Sequence, residues 1–257
     1  MCKIIAIANP KGGVGKTTTA INLAASLAIA NQKVLLIDMD PNGALSSSIG
    51  IQPSDIKGGI YEVFFGTFDF FDTIHHFHLS NLYIIPSNIN TTEREARLMA
   101  MAKNRAILKR KLDDWINKGK LDHRFIIIDT PPILNDLTLA ALYAANSVLI
   151  PLQCSYYALN VVERLIHMID RIKEGGNPKL KIEGILLNFF EKKTRVSQRT
   201  EQEARNLFND LVLKTIIPKN TTISYATFEK KPVALVDITA TGSSAFLSLA
   251  EEILSKN

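Results

Sequence analysis

The chain alternates short, nearly unbroken apolar runs with longer stretches in which apolar residues return every three or four positions. The first pattern suits strands buried on both faces, and the second suits helices that turn one face to a core. Strands are predicted at 3–8 (KIIAIA), 33–38 (KVLLID), 81–87 (NLYIIPS), 124–129 (RFIIID), 147–152 (SVLIPL), 181–189 (KIEGILLNF) and 211–218 (LVLKTIIP). Helices are predicted at 17–32, 93–118, 159–174, 197–210 and 242–257; in 93–118, Leu98, Met101, Leu108, Leu112 and Trp115 make one apolar stripe. Such alternation predicts an α/β fold with a mostly parallel twisted sheet covered by helices on both faces. No linker, repeat or low-complexity tract divides residues 1–257, so a single domain is expected. The stretch 53–80 is the least regular, and its aromatics are expected to form short helices over a sheet edge. Its three histidines, His75, His76 and His78, match no strong metal-ligand spacing and are expected to have surface or packing roles.

Composition narrows the class. With 257 residues, 46% hydrophobic and 21% charged, the chain can bury a substantial core. A net charge of +5 permits an anionic partner without requiring one. Two cysteines, Cys2 and Cys154, supply neither a disulfide framework nor a C-x-x-C metal pattern, and a reducing cytoplasm is the expected setting. The opening apolar run is too short for a signal-peptide core, and no later run approaches the ~18 apolar residues of a spanning helix.

The chemistry is concentrated after the first strand, in N-P-K-G-G-V-G-K-T-T-T (9–19). A glycine-rich turn leading into a helix N-terminus is an anion site, because the first-turn N–H groups lack intrahelical partners and the helix dipole adds positive character. Gly12, Gly13 and Gly15 let the backbone wrap phosphates, Lys16 can reach β- and γ-phosphates, and the Thr17 hydroxyl can ligate Mg²⁺. The stretch departs from the phosphate-loop pattern G-x-x-x-x-G-K-[ST]: Pro10 stands where the leading glycine belongs, and a second lysine, Lys11, precedes the glycine pair. Phosphate loops also need a metal-holding carboxylate on a neighbouring strand. Asp129, which ends RFIIID, and Asp38 and Asp40 of LLIDMDP are the candidates, at the strand ends where ligands bind in open α/β sheets.

K-G-G-V-G-K-T-T, D-x-D-P and I-I-D-T-P-P together resemble the deviant Walker A ATPases, and within them the ParA/Soj partitioning proteins. The similarity runs nearly end to end, through TTTAINLAASLA, VLLIDMDPNGALSS, VLIPLQCSYYAL, GILLNF and KTIIPKN. The resemblance implies a P-loop NTPase that hydrolyses ATP with Mg²⁺ and forms a homodimer with ATP sandwiched between the subunits. Lys11 would reach across that interface to the partner's nucleotide, while Lys11, Gly12, Gly13, Val14, Gly15, Lys16, Thr17 and Thr18 hold the phosphates. It also implies that Asp40 orients the attacking water, that Asp38 and Asp129 hold Mg²⁺ through waters alongside Thr17, and that Asn188 and Pro218 pack around adenine. Segments 38–43 and 129–133 would be the switches that sense the γ-phosphate. Hydrolysis would be slow until a ParB-type activator stimulates it.

The family implies non-specific DNA binding by the ATP dimer, in a cytoplasmic, nucleoid-associated protein. The charge distribution agrees in part: residues 93–124 carry ten Lys/Arg against five Asp/Glu, and residues 189–232 carry nine against five. Family arginines of IPRNVR and DPRSRG are absent here, where Lys219, Thr222 and Asp237–Gly242 stand instead. The candidate DNA surface is therefore Lys192, Lys193, Arg195, Arg199, Lys219, Lys230 and Lys231. Asn42, Ala44 and Ser48 also replace common family residues near the first switch, as Pro10 does before the loop. The alternative is a MinD-like membrane-positioning ATPase, which would end in a basic amphipathic helix. Here FLSLAEEILSKN carries Glu251 and Glu252 against one lysine, so no stable membrane association is expected. The chain begins almost directly at its first strand, so an N-terminal helix-turn-helix extension for operator binding is not expected.

Overall fold

The computed structural model describes residues 2–155 and 158–257, and of Pro53 the backbone alone. Tyr156 and Tyr157, in the family-like stretch 148–159, lie outside the described residues. The elements run β1 (Lys3–Ile7), α1 (Lys16–Ile29), β2 (Val34–Asp38), α2 (Ala44–Ser48), α3 (Ile60–Phe65), α4 (Phe70–Thr73), β3 (His75–His76), β4 (Leu82–Ile85), α5 (Thr92–Ala102) and α6 (Ile107–Asn117). They continue through β5 (Phe125–Asp129), α7 (Asp136–Ala144), β6 (Ser147–Gln153), α8 (Ala158–Gly175), β7 (Lys181–Phe190), α9 (Arg195–Phe208), β8 (Val212–Pro218), α10 (Thr221–Phe228), α11 (Val233–Val236) and α12 (Thr241–Lys256).

All eight strands join one sheet in the order β3-β4-β2-β5-β1-β6-β7-β8. Every pairing is parallel except the short β3, which runs antiparallel along the β4 edge. Strand β1 lies between β5 and β6, so the loop that leaves it emerges between the ends of two other strands. Alternation along each strand divides the core. Ile4, Ala6, Leu35, Ile37, Ile126 and Ile128 face α3 and α5–α8, while Ile5, Ile7, Leu36, Ile127 and Leu149 face α1, α10 and α12. Parallel strands covered on both sides account for the unbroken apolar runs.

Each predicted strand is present, with ends shifted by up to two residues. Helix α1 stops before Asn31, whose φ of 57° is left-handed and ends the helical path. The helix expected over 93–118 is two helices: α5 and α6 are joined by a turn at 103–106, where Asn104 N–H bonds to the Met101 carbonyl and Ile107 N–H to the Asn104 carbonyl. Leu98 of α5 and Leu108, Leu112 and Trp115 of α6 enter the same core, so the periodicity reads as continuous. Residues 53–80 form the short helices expected from their aromatics and, in addition, the unpredicted edge strand β3. His75 Nε2 lies 2.8 Å from the Gly58 carbonyl, and His76 packs edge-on against Tyr83.

The opposite border, β8, is tied down differently. Glu252 of α12 accepts the backbone N–H groups of Lys214 (2.9 Å) and Thr215 (2.8 Å). Among the described residues, no helix is long and apolar enough to cross a membrane.

Candidate functional site

The loop between β1 and α1 is shaped by backbone requirements. Gly15, at the N-cap of α1, has φ 87°, and a Cβ there would lie 2.8 Å from Asn188 Nδ2 and 3.2 Å from the Phe189 ring. Only glycine fits that conformation and that approach. The first turn of α1 carries neither a side-chain cap nor an acidic residue, so its leading N–H groups remain available to an anion. Asn9 braces the approach: its Nδ2 donates to the Pro151 carbonyl (2.8 Å), and its Oδ1 accepts the Lys11 N–H (2.9 Å).

A cavity of about 330 Å³ opens on this loop, lined by Gly12, Gly13, Gly15, Lys16, Thr17, Thr18, Asp40, Thr130, Pro132 and Phe189. Lys16 is buried, and its Nζ donates to the Lys11 carbonyl at 3.2 Å. Burial pushes the Lys16 ammonium below its usual range, and the charges of Asp129 and Asp40 oppose that shift.

Three carboxylates meet at adjoining strand ends. Asp38 and Asp129 are in register across β2 and β5, both with 0% exposure, and Asp40 follows two residues after Asp38. Asp38 Oδ2 accepts from the Ser46 hydroxyl (2.6 Å) and N–H (3.0 Å), and its Oδ1 accepts the Asp40 N–H (3.1 Å). Burial still raises its pKa to about 6, with the Ser46 and Asp40 bonds working against the rise. Asp129 is raised well above the ordinary carboxylate range by burial first and the Asp38 charge second; the Thr17 hydroxyl bond and Lys16 oppose this. Thr17 Oγ1 donates to Asp129 Oδ2 at 2.7 Å, while Asp129 Oδ1 is buried with no hydrogen-bond partner among the described residues. Asp40 Oδ1 accepts from the backbone and side-chain nitrogens of Asn42, each at 3.0 Å.

This donor set fits a hard divalent cation. Two buried carboxylates are protonated more readily than usual, one of their oxygens has no hydrogen-bond partner among the described residues, and a hydroxyl stands beside it. Among the described residues, no three His, Cys, Asp or Glu side chains form a complete metal cage, the three histidines of 75–78 included. Mg²⁺ suits such an incomplete set, because it usually keeps waters and takes one or two carboxylates plus substrate phosphates.

The remaining predicted residues fall in three places. Asn188, at the end of β7, donates through Nδ2 to the Val14 carbonyl (3.0 Å) and Thr19 Oγ1 (3.1 Å), and its Oδ1 is buried with no hydrogen-bond partner among the described residues. Pro218 lies opposite Phe190 in the β7–β8 ladder and lines a cavity of about 810 Å³ with Glu191, Lys192, Lys219 and Thr241. Lys11 Nζ donates to Ser155 Oγ at 3.3 Å, just beyond β6 in its own chain. The candidate DNA residues are all exposed but dispersed. Lys192, Lys193 and Lys219 follow the carboxyl ends of β7 and β8, with Lys219 paired to Glu191 (3.1 Å), and Arg195 and Arg199 begin α9, where Arg199 pairs with Glu203 (2.7 Å). Lys230 and Lys231 follow α10, and the Lys230 stem lies against Gly50 beyond α2. In the other basic segment, Arg94, Arg97, Lys109, Lys118 and Lys120 are each engaged by a carboxylate.

Sequence reasoning missed Ser46, Ser155 and Phe189. Ser46 is buried beside Asp38, and its spacing from that residue carries no motif. Phe189 has φ 54°, a genuine outlier for a bulky side chain, yet its ring edges the phosphate cavity.

A strand, a glycine-rich loop and a buried lysine at a helix N-terminus, facing carboxylates on neighbouring parallel strands, define a P-loop NTPase fold. A family model described as an AAA domain matches residues 2–182. The chain is 42% identical to the chromosome partitioning protein ParA of Myxococcus xanthus, over 99% of this chain and 89% of that protein. It is 39% identical to the sporulation initiation inhibitor protein Soj of Bacillus subtilis, over 98% of each chain. Among solved structures, cobyrinic acid a,c-diamide synthase from Mycobacterium smegmatis, with bound ATP analogue and magnesium, superposes with a TM-score of 0.81 at 29% identity, covering 99% of this chain and 95% of that one. The chain belongs to the ParA/Soj family of partitioning ATPases.

Proposed function

We propose that this protein is a Mg²⁺-dependent ATPase that partitions DNA by binding it non-specifically as an ATP-held dimer and releasing it after slow, activator-stimulated hydrolysis. The reading is supported above all by the gathering of Lys16, Thr17, Asp38, Asp40 and Asp129 at one loop and two strand ends.

In this reading the Gly12–Thr18 backbone and the Lys16 ammonium hold the triphosphate of ATP. Thr17, Asp38 and Asp129 hold Mg²⁺, which supplies charge neutralisation to the transferred phosphoryl group. Asp40, tethered by Asn42, positions the attacking water and accepts its proton. Asn188 links the loop to β7, and its free Oδ1 is suited to accept from the adenine amino group. Phosphoryl transfer asks little covalent chemistry of the protein, so positioning and charge are the terms these residues provide.

Lys11 has a second role. Two triphosphates facing each other across an interface would bring concentrated negative charge there, and a lysine from each side would offset it. Its amine donates to Ser155 Oγ in the same chain, a contact it would exchange for the partner's nucleotide. ATP then favours the dimer because it binds that state better. Lysines and arginines at 192–199, 219 and 230–231 would contact DNA phosphates, with binding that weakens steeply as salt rises.

Sedimentation with and without ATP, beside DNA filter binding across a salt series, tests the proposal. ATP-dependent dimers that bind DNA at low salt are expected. A chain that stays monomeric with ATP and Mg²⁺, or binds no DNA even at low ionic strength, overturns it.

A further inference from the structure

The end of the sheet farthest from the phosphate loop carries another cavity, of about 560 Å³, that plays no part in the proposed function. Its lining includes Lys3, Arg124, Asn146, Lys179, Lys181 and Asn257. Lys3 and Lys181 begin β1 and β7, Arg124 and Asn146 directly precede β5 and β6, and Lys179 stands in the turn after α8. Parallel topology therefore gathers four cationic side chains at the amino ends of strands whose other ends form the nucleotide site.

The charge there is only partly answered. Lys3 Nζ pairs with Glu183 at 2.9 Å, and Glu183 is further held by Ser147 and by Asn257 Nδ2 (2.8 Å). Arg124 Nη2 donates to the Asn257 backbone oxygen at a long 3.4 Å. Lys179 and Lys181 are exposed and have no ion pair among the described residues. Asn146 is spoken for, since its Oδ1 accepts the Ile4 N–H at 2.7 Å.

We propose that this cavity binds a small molecule bearing two or more phosphate groups. Converging cations in a concave site concentrate a counter-anion. The guanidinium offers a planar fork to phosphate oxygens, and the lysines act as point charges around it. The volume lies within the usual range of small-molecule pockets, about 300–1,000 Å³. The site stands apart from the phosphate loop and does not depend on what that loop binds.

Inorganic tripolyphosphate is the probe. It is titrated calorimetrically, at constant ionic strength and with EDTA, into the full chain carrying Lys16→Ala to weaken binding at the loop. Saturable binding of one equivalent per chain is expected, weakened at least tenfold when Lys179→Glu and Lys181→Glu are added. These two positions are exposed, and circular dichroism checks that the fold survives. Tripolyphosphate should also slow alkylation of Cys2, which lines the cavity, and should lose that effect in the charge-reversed variant. Binding that does not saturate, or equal affinity with and without the two reversals, overturns the site.

Discussion

Asp38 and Asp129 are register partners on adjacent parallel strands, so two fully buried carboxylates lie side by side, eased by Thr17, Ser46, nearby N–H groups and the charge of Lys16. Both take up protons more readily than ordinary carboxylates, Asp38 at about pH 6. This pair favours the folded state as pH falls from 7 toward 5, because the native form binds more protons than the unfolded one across that window. Metal binding needs the charged forms, so its pH trend is opposite. The rise in Tm produced by MgADP over ADP with EDTA should therefore shrink as pH falls through about 6. An Mg²⁺-dependent increment that is flat from pH 7.5 to 5 would contradict the assignment.

Lys16 and Asp40 line one cavity, and the proposed function gives them different steps. Lys16→Ala should weaken ATP binding by a factor of ten to a hundred or more, since a charge-assisted bond contributes about 1.5–3 kcal/mol. Asp40→Ala should leave ATP affinity within a few-fold of the parent and abolish turnover. Equilibrium binding of a fluorescent ATP analogue and a phosphate-release assay separate the two. Wild-type turnover in Asp40→Ala removes that residue from the chemistry.

Phe189 holds a left-handed backbone that costs a residue with a Cβ about 1–2 kcal/mol. Glycine is normally the poorer choice within a strand, but here the order should invert. Phe189→Gly should be about 1 kcal/mol more stable than Phe189→Ala in urea denaturation. Equal midpoints would mean that the conformation carries no strain.

His123 is buried, neither ring nitrogen has a hydrogen-bond partner among the described residues, Nδ1 stands 3.9 Å from Asp122 Oδ1, and the Tyr83 ring packs against it. Burial lowers its pKa to about 4, with Lys33 adding to the effect and Asp122 opposing it. The unfolded chain therefore binds the extra proton between pH 6.5 and 4, and stability is lost across that window as pH falls. Relative to His123→Phe, the wild type should lose on the order of 1–3 kcal/mol between pH 7 and 4.5. Superimposable stability–pH curves for the two proteins would refute this.

What the sequence revealed follows from what each element needs. The strands, the loop and Asp38, Asp40 and Asp129 were legible because parallel strands leave apolar runs and ligands gather at their ends. Helix α7 was not anticipated. DLTLAALYA is nearly apolar all round because it packs among α5, α6, α8 and β1, so it lacks the one-sided periodicity that marks a surface helix. The short α2, α10 and α11 escaped because four to eight residues give no period to read. The Ser155 contact to Lys11 spans 144 positions and was beyond any local pattern.

The two borders of the sheet carry a further consequence. One is closed by the two residues of β3, and at the other a glutamate from the last helix occupies N–H groups that a neighbouring strand would need. Ladder growth from chain to chain, the route to fibrils, is thus hindered on both flanks. Copies of this molecule are left to meet through side chains and loops, contacts that a small ligand can make or dissolve.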